Sequence, residues 1–90
     1  MKKSDISNHV SAETSLAKVD AEGALNAVLS AISDSLARGE SVTIAGFGTF
    51  SVKSRPERMG RNPRTGESII IAASRAPSFK AGKALRDAVG

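Results

Sequence analysis

Gly60-Arg61-Asn62-Pro63-Arg64-Thr65-Gly66 is the stretch on which the reading of this chain turns. Two glycines and a proline within seven residues exclude a helix interior, since Pro63 has no N–H to donate and glycine is costly inside a helix. The stretch instead predicts a hairpin tip. Asn62 suits the first corner of a turn, Pro63 presets φ for the second, and Gly66 takes a positive φ as the chain re-enters a strand. Cations bracket the tip, with Arg55, Arg58 and Arg61 on the approach and Arg64 and Arg75 on or after the return. Strand side chains alternate, so Arg55 and Arg61 are expected on one face of the ribbon and Arg58 and Arg64 on the other. A basic ribbon ending in an apolar ring can touch both walls of a groove.

The chain has 90 residues, the size of one domain, and a domain that small buries a modest share of its surface alone. Its only aromatics are Phe47, Phe50 and Phe79, so the core rests on Leu, Ile, Val and Ala, and oligomerisation is the expected supplement. The net charge of +4 hides an asymmetry. Residues 1–50 carry four Lys/Arg against six Asp/Glu, and residues 51–90 carry nine against three, giving −2 and +6. Positive charge gathered on one part of a small domain is the footprint of a polyanion binder.

Upstream of the ribbon, Ile6 and Val10 stand four apart and predict a short, weakly amphipathic helix over about residues 4–13. Thr14 and Ser15 offer a break and a cap for the next helix, with Asp20 as the alternative cap. Leu25, Val28, Leu29, Ile32 and Leu36 then make a strong helical stripe ending at Gly39, with Arg38 in the last turn complementing the helix dipole. Gly23 inside it costs up to about 1 kcal/mol unless it permits a close backbone approach. From Ser41 the period changes to alternation, and Val42-Thr43-Ile44, Gly46-Phe47-Gly48, Phe50 and Val52 predict two short strands around a tight turn. The arm is expected from about Lys53 to Ser74, returning through Ile69, Ile70 and Ile71. Those three cannot all face one core, so at least one lines the ribbon or a partner. Pro77 and Ser78 are expected to lead into a final helix carrying Phe79, Ala81, Leu85 and Val89, with Lys80, Lys83 and Arg86 on another side.

No enzyme chemistry assembles. His9 is the only histidine and reads as a solvated helix residue, and there is no cysteine, which excludes disulfides and thiolate metal sites. Ser15-Leu16-Ala17-Lys18 matches a bare S-x-x-K pattern without its companion motifs. Gly46-Phe47-Gly48 begins like a dinucleotide fingerprint, but Ser51 stands at the third glycine position and no helix follows. Gly82-Lys83 lacks the upstream glycine of a phosphate loop, since position 77 is proline. No cofactor is expected. Met1-Lys2-Lys3 is followed by polar residues where a signal peptide needs an apolar run, and no segment has the length of a membrane span, so the cytoplasm is the expected compartment.

Three blocks, Gly46-Phe47-Gly48-Thr49-Phe50, Gly60 to Gly66, and Pro77-Ser78-Phe79-Lys80-Ala81-Gly82-Lys83-Ala84-Leu85, resemble the bacterial histone-like HU family, and the resemblance spans the chain. It implies an α+β fold: an intertwined homodimer with a helical base over about residues 1–40, a sheet saddle and β-ribbon arm over about 41–76, and a C-terminal helix over about 77–90. It implies arms lying in the DNA minor groove, as architectural minor-groove binders including HU do, with Pro63 wedging between base steps. It also places basic residues on the saddle, at Lys3, Lys53, Arg75, Lys80, Lys83 and Arg86. With Arg55, Arg58, Arg61, Asn62, Pro63 and Arg64, these form the expected DNA-binding set. Phe47, Phe50 and Phe79 are expected in the core and dimer interface. The chain departs from many relatives at Glu67, which stands where a basic residue is common and is expected either to weaken phosphate contact there or to pair locally with an arginine. It also departs at Met59, at Pro56, tolerable only where no ladder hydrogen bond is required, and at Ala17, which lacks a capping hydroxyl.

The expected function is architectural binding of double-stranded DNA, largely independent of sequence, in the nucleoid, with preference for bent, nicked or gapped DNA. The alternatives are a site-specific DNA-bending subunit like integration host factor, or a basic module gripping an acidic protein. RNA binding stays open, because phosphate neutralisation does not distinguish the two nucleic acids.

Overall fold

The computed structural model describes all of residues 1–90. Helix α1 spans Lys3–Thr14, and the Asp5 carboxylate accepts from the Lys2 backbone N–H at 2.7 Å, answering the positive end of the helix. Thr14 and Ser15 close this helix and do not cap the next. Ser15 takes a left-handed φ of 61°, the Thr14 hydroxyl donates back to Val10 O at 2.6 Å, and the Ser11 hydroxyl donates forward to Leu16 O at 2.7 Å. Hydroxyls thus satisfy the turn that the two helices share.

Helix α2 spans Lys18–Ala37 and starts after Ala17 with no side-chain cap; Asp20 lies in its first turn and favours the dipole from there. Its end is a Schellman closure. Arg38 is the C-cap residue, Gly39 takes φ 79°, Glu40 N–H donates to Ser35 O and Gly39 N–H to Leu36 O, each at 2.9 Å. A Cβ added to Gly23 would meet nothing within 4 Å, so no close approach within the chain accounts for that glycine.

Strand β1, Val42–Ile44, turns at Ala45-Gly46, where Phe47 N–H donates to Ile44 O at 3.0 Å and Gly46 takes φ 78°. It pairs antiparallel with β2, Gly48–Arg55. The outgoing ribbon continues as β3, Arg58–Arg61, and returns as β4, Ser68–Ile71, and β5, Ser74–Ala81. The body sheet has the order β1-β2-β5, and β3-β4 is a separate two-stranded ribbon. Register is carried across the interruption unchanged. Arg55 stands opposite Ser74 and Arg58 opposite Ile71, so two residues are skipped on each strand, Pro56-Glu57 and Ala72-Ala73. Pro56 therefore sits where the ladder is open, the place its missing N–H allows.

The last helix, α3, spans Lys83–Val89. Its start corrects the expectation of a helix from Pro77: Pro77, Ser78, Phe79, Lys80 and Ala81 are strand. Proline is tolerated because β5 is an edge strand. What holds Phe79 there is aromatic packing across the sheet. Its ring centroid lies 4.7 Å from Phe50, its cross-strand partner, and 5.5 Å from Phe47. A Cβ on Gly48 would come within 2.6 Å of the Phe79 ring and of Lys80 O, so only glycine lets β2 pass beneath that ring.

The chain by itself has almost no interior. Ala21 is its one fully buried hydrophobic residue, while Val19, Val28, Leu29, Phe47 and Phe79 are exposed at between 42% and 75%. A compact chain of 9.3 kDa has an accessible surface of about 5,000 Å², whereas this one has 7132 Å². The arm supplies part of the excess, stretching the molecule to 60 × 30 × 26 Å. Exposed apolar side chains on the helices and the sheet, Val28, Leu29, Phe47 and Phe79 among them, contribute as well.

Candidate nucleic-acid interface

Cross-strand partners share a face, so the register sorts the side chains of the body sheet. Phe50, Val52, Pro77 and Phe79 lie on one face, with Ser54 and Arg75 at its outer end. Thr49, Ser51, Lys53 and Arg55 lie on the other, opposite Lys80, Ser78, Ala76 and Ser74. The second face is polar apart from Ala76 and carries three cations. Thr43, opposite Thr49, extends it, the two hydroxyl oxygens 3.4 Å apart. Of the expected binding residues, Lys53, Arg55 and Lys80 are brought together here. The small polar residues Thr43, Thr49, Ser51 and Ser78 are absent from the set expected from sequence, although extending the alternation that starts at Val42 places the first three.

Arg75 stands apart from that face. Its guanidinium turns toward the helices and donates from Nη2 to Leu36 O at 3.3 Å. Lys3 is likewise held, its Nζ donating to Asn26 Oδ1 at 2.9 Å, which links α1 to α2 through a neutral partner. Lys83 and Arg86 lie three apart on α3, on neighbouring surface, and both are exposed.

In the arm, Arg58 pairs with Ile71 and Arg61 with Ser68, which puts these two arginines on opposite faces of the ribbon. The tip is closed by the backbone and by Asn62. Asn62 N–H donates to Glu67 O at 2.8 Å and Gly66 N–H to Asn62 O at 2.7 Å, with Gly66 at φ 73°. The Asn62 side-chain oxygen accepts from Arg64 N–H at 2.9 Å, an Asx turn that spans Pro63 and fixes its ring at the apex. Thr65 Oγ1 accepts from Glu67 N–H at 3.3 Å. Pro63, Arg64 and Thr65 are exposed.

Ion pairing does not tie up the cations of this surface. The chain has one ion pair, Arg38 with Glu40 at 3.4 Å, and that pair lies at the end of α2. Glu67 forms no pair with an arginine, so the local pair open to it is not made. Every cation of the sheet face, the arm and α3 thus lacks a carboxylate partner within 4.0 Å. No group of three or more His, Cys, Asp or Glu side chains gathers to hold a metal ion, and no helix is long and apolar enough to cross a membrane.

This geometry agrees with what the chain is similar to. The family model described as bacterial DNA-binding protein matches residues 1–90. The DNA-binding protein HU of Xylella fastidiosa is 55% identical over 89 residues, covering 99% of this chain and 95% of that protein. The protein of the same name from Staphylococcus aureus is 52% identical over 89 residues, covering 99% of both. Among solved structures, an Anabaena HU–DNA cocrystal structure superposes with a TM-score of 0.86 at 39% identity, covering 99% of this chain and 97% of that one. HU from Thermotoga maritima gives a TM-score of 0.70 at 29% identity over the full length of both. With its helical hairpin, three-stranded sheet, two-stranded arm and short last helix, the chain belongs to the bacterial DNA-binding protein family and has the α+β fold of HU.

Proposed function

We propose that the protein is an architectural DNA-binding protein of the nucleoid that acts as a homodimer, gripping double-stranded DNA with two β-ribbon arms and bending it largely without regard to sequence. The observation that carries this reading is the unpaired cationic surface running from Lys53, Arg55 and Lys80 on the sheet to Arg58, Arg61 and Arg64 on an arm whose tip is locked around Pro63. Cations without carboxylate partners neutralise phosphates and release counterions, a contribution that carries no sequence information. Lys83 and Arg86 on α3, and Lys3 beside α2, add exposed positive charge outside the sheet and arm. The ring of Pro63 is rigid, apolar and exposed between two arginines, which suits insertion between base steps from the minor groove while the arginines hold the backbone.

A second copy of the chain is what the exposed apolar face requires. A second copy seated on that face would take from water the side chains of Val28, Leu29, Phe47 and Phe79, which one chain alone leaves between 42% and 53% exposed. Phe47, Phe50 and Phe79 lie on or beside the face to be covered.

The test is a gel-shift titration at two salt concentrations with two unrelated duplexes of equal length and a nicked copy of one. Equal binding to the intact duplexes, tighter binding to the nicked one and a steep salt dependence are expected. The nick relieves part of a bending cost on the order of 1–6 kcal/mol. Strong preference for one intact duplex would replace this reading with sequence-directed bending, and absence of binding at low salt would overturn it.

A further inference from the structure

Only two side-chain hydrogen bonds in the molecule join residues more than six apart in sequence. One is Lys3 to Asn26; the other is Arg75 to Leu36 O, across 39 residues. The second joins the root of the arm to the end of the long helix. Ser54 opposite Arg75 is the last but one residue pair of the body sheet, and beyond Arg55 opposite Ser74 the ladder opens at Pro56-Glu57 and Ala72-Ala73. The anchor therefore lies in the last two residue pairs before the ladder is interrupted. Its acceptor belongs to the last turn of α2, where carbonyls carry the negative end of the helix dipole and favour a guanidinium. Gly39 turns the chain away at φ 79°, and its Cα side lies beside the guanidinium, a Cβ there being at ordinary contact distance, 3.4 Å, from Arg75 Nη2. Leu36, Ala37, Val52 and Pro77 line the cleft of about 290 Å³ between helix and sheet that Arg75 also borders.

We propose that Arg75 is a positioning residue, not a phosphate contact: it bolts the arm's root to the carboxyl end of α2 and so sets the direction in which the arm leaves the body and the bend imposed on DNA. This rests on the DNA-bending reading above. A guanidinium committed to a helix carbonyl on the side facing the helices is withdrawn from the cationic face that carries Lys53, Arg55 and Lys80. It is the one side-chain hydrogen bond between the sheet and the helices; the rest of that contact is the apolar cleft lined by Leu36, Val52 and Pro77.

The experiment compares wild type with Arg75→Gln and Arg75→Met, the latter keeping an aliphatic stem in the cleft should the polar variant fold poorly. Each is titrated against an end-labelled duplex over a range of salt, and the bend is read by energy transfer at saturating protein. Both variants are expected to keep the wild-type slope of log K against log salt while the mean bend falls and its distribution widens. A slope shallower by about 0.9 or more would make Arg75 a phosphate contact and overturn the proposal. An unchanged bend at saturation would reduce the residue to a helix cap and overturn it equally. A wild type that binds without bending would instead overturn the reading on which this inference rests, an outcome visible before any variant is compared.

Discussion

Strand β2 pairs with β5 over eight residues from Gly48 to Arg55, and after a two-residue gap the same hairpin pairs over four more from Arg58 to Arg61, yet the two lengths of ribbon differ in kind. The inner length is sided. Phe50, Val52, Pro77 and Phe79 share one face and Lys53, Arg55 and Lys80 the other, so apolar burial on one side holds charge out to solvent on the other. The outer length is not sided. Ile69 and Ile71 face Gly60 and Arg58, while Ile70 faces Met59, leaving apolar and cationic groups on both faces. Met59 and Ile70 are 67% and 65% exposed, and no helix covers either side. A sided ribbon is stabilised by its own molecule and a two-faced one is completed by something that surrounds it. Stability should therefore belong to the inner length, and DNA deformation to the outer.

The strongest challenge to that division is Phe79→Ala. Removing the ring that joins Phe47 and Phe50 should cost about 3 kcal/mol or more of stability, measured by denaturant unfolding, and should make the transition more concentration dependent. A loss below about 1 kcal/mol would mean the aromatic cluster is not what holds the sheet. Next comes Pro63→Ala, which should leave unfolding within about 0.5 kcal/mol of wild type but markedly reduce the bend read by energy transfer. Equal bending would remove the wedge role from Pro63.

Smaller again is the effect of Arg58→Gln with Arg61→Gln. The slope of log K against log salt should become shallower by about 0.9 for each phosphate that is no longer neutralised, with unfolding unchanged; an unaltered slope would mean that neither face of the arm touches phosphate. The smallest effect is expected from Glu67→Gln. Its carboxylate has no cationic partner to lose, so removing the charge beside the tip should raise affinity a few-fold at low salt and leave stability alone. Weaker binding would show that Glu67 organises the tip by its side chain rather than opposing phosphate.

Much of this is legible in the residues themselves. The tip follows from Asn62, Pro63 and Gly66, whose preferences are local and met by local bonds, and Gly66 takes the positive φ expected of it. Helix α2 follows from its apolar spacing, but its start does not. Thr14 and Ser15 have the side chains of a cap, yet both belong to the end of α1, the Thr14 hydroxyl bonding back into that helix and leaving Ala17 to begin the next unaided. The misplaced final helix has a similar origin. Phe79, Ala81 and Leu85 can be fitted to a helical period, and only pairing with a strand about thirty residues earlier makes the first two extended.

By itself the sequence determined the things that depend on neighbours along the chain: the locked proline tip, the helical stripe, the change to alternation at Val42 and the gathering of +6 on the second half. The tertiary structure decided what depends on meeting distant partners. It put Phe79 in a strand because Phe50 and Phe47 offer it a ring to pack on, and it opened the ladder at Pro56 without shifting register. It also turned Arg75 inward because the end of α2 presents an acceptor carbonyl there. Charge can be counted along a chain; which carbonyl or phosphate a charge can reach is fixed only when the elements have packed.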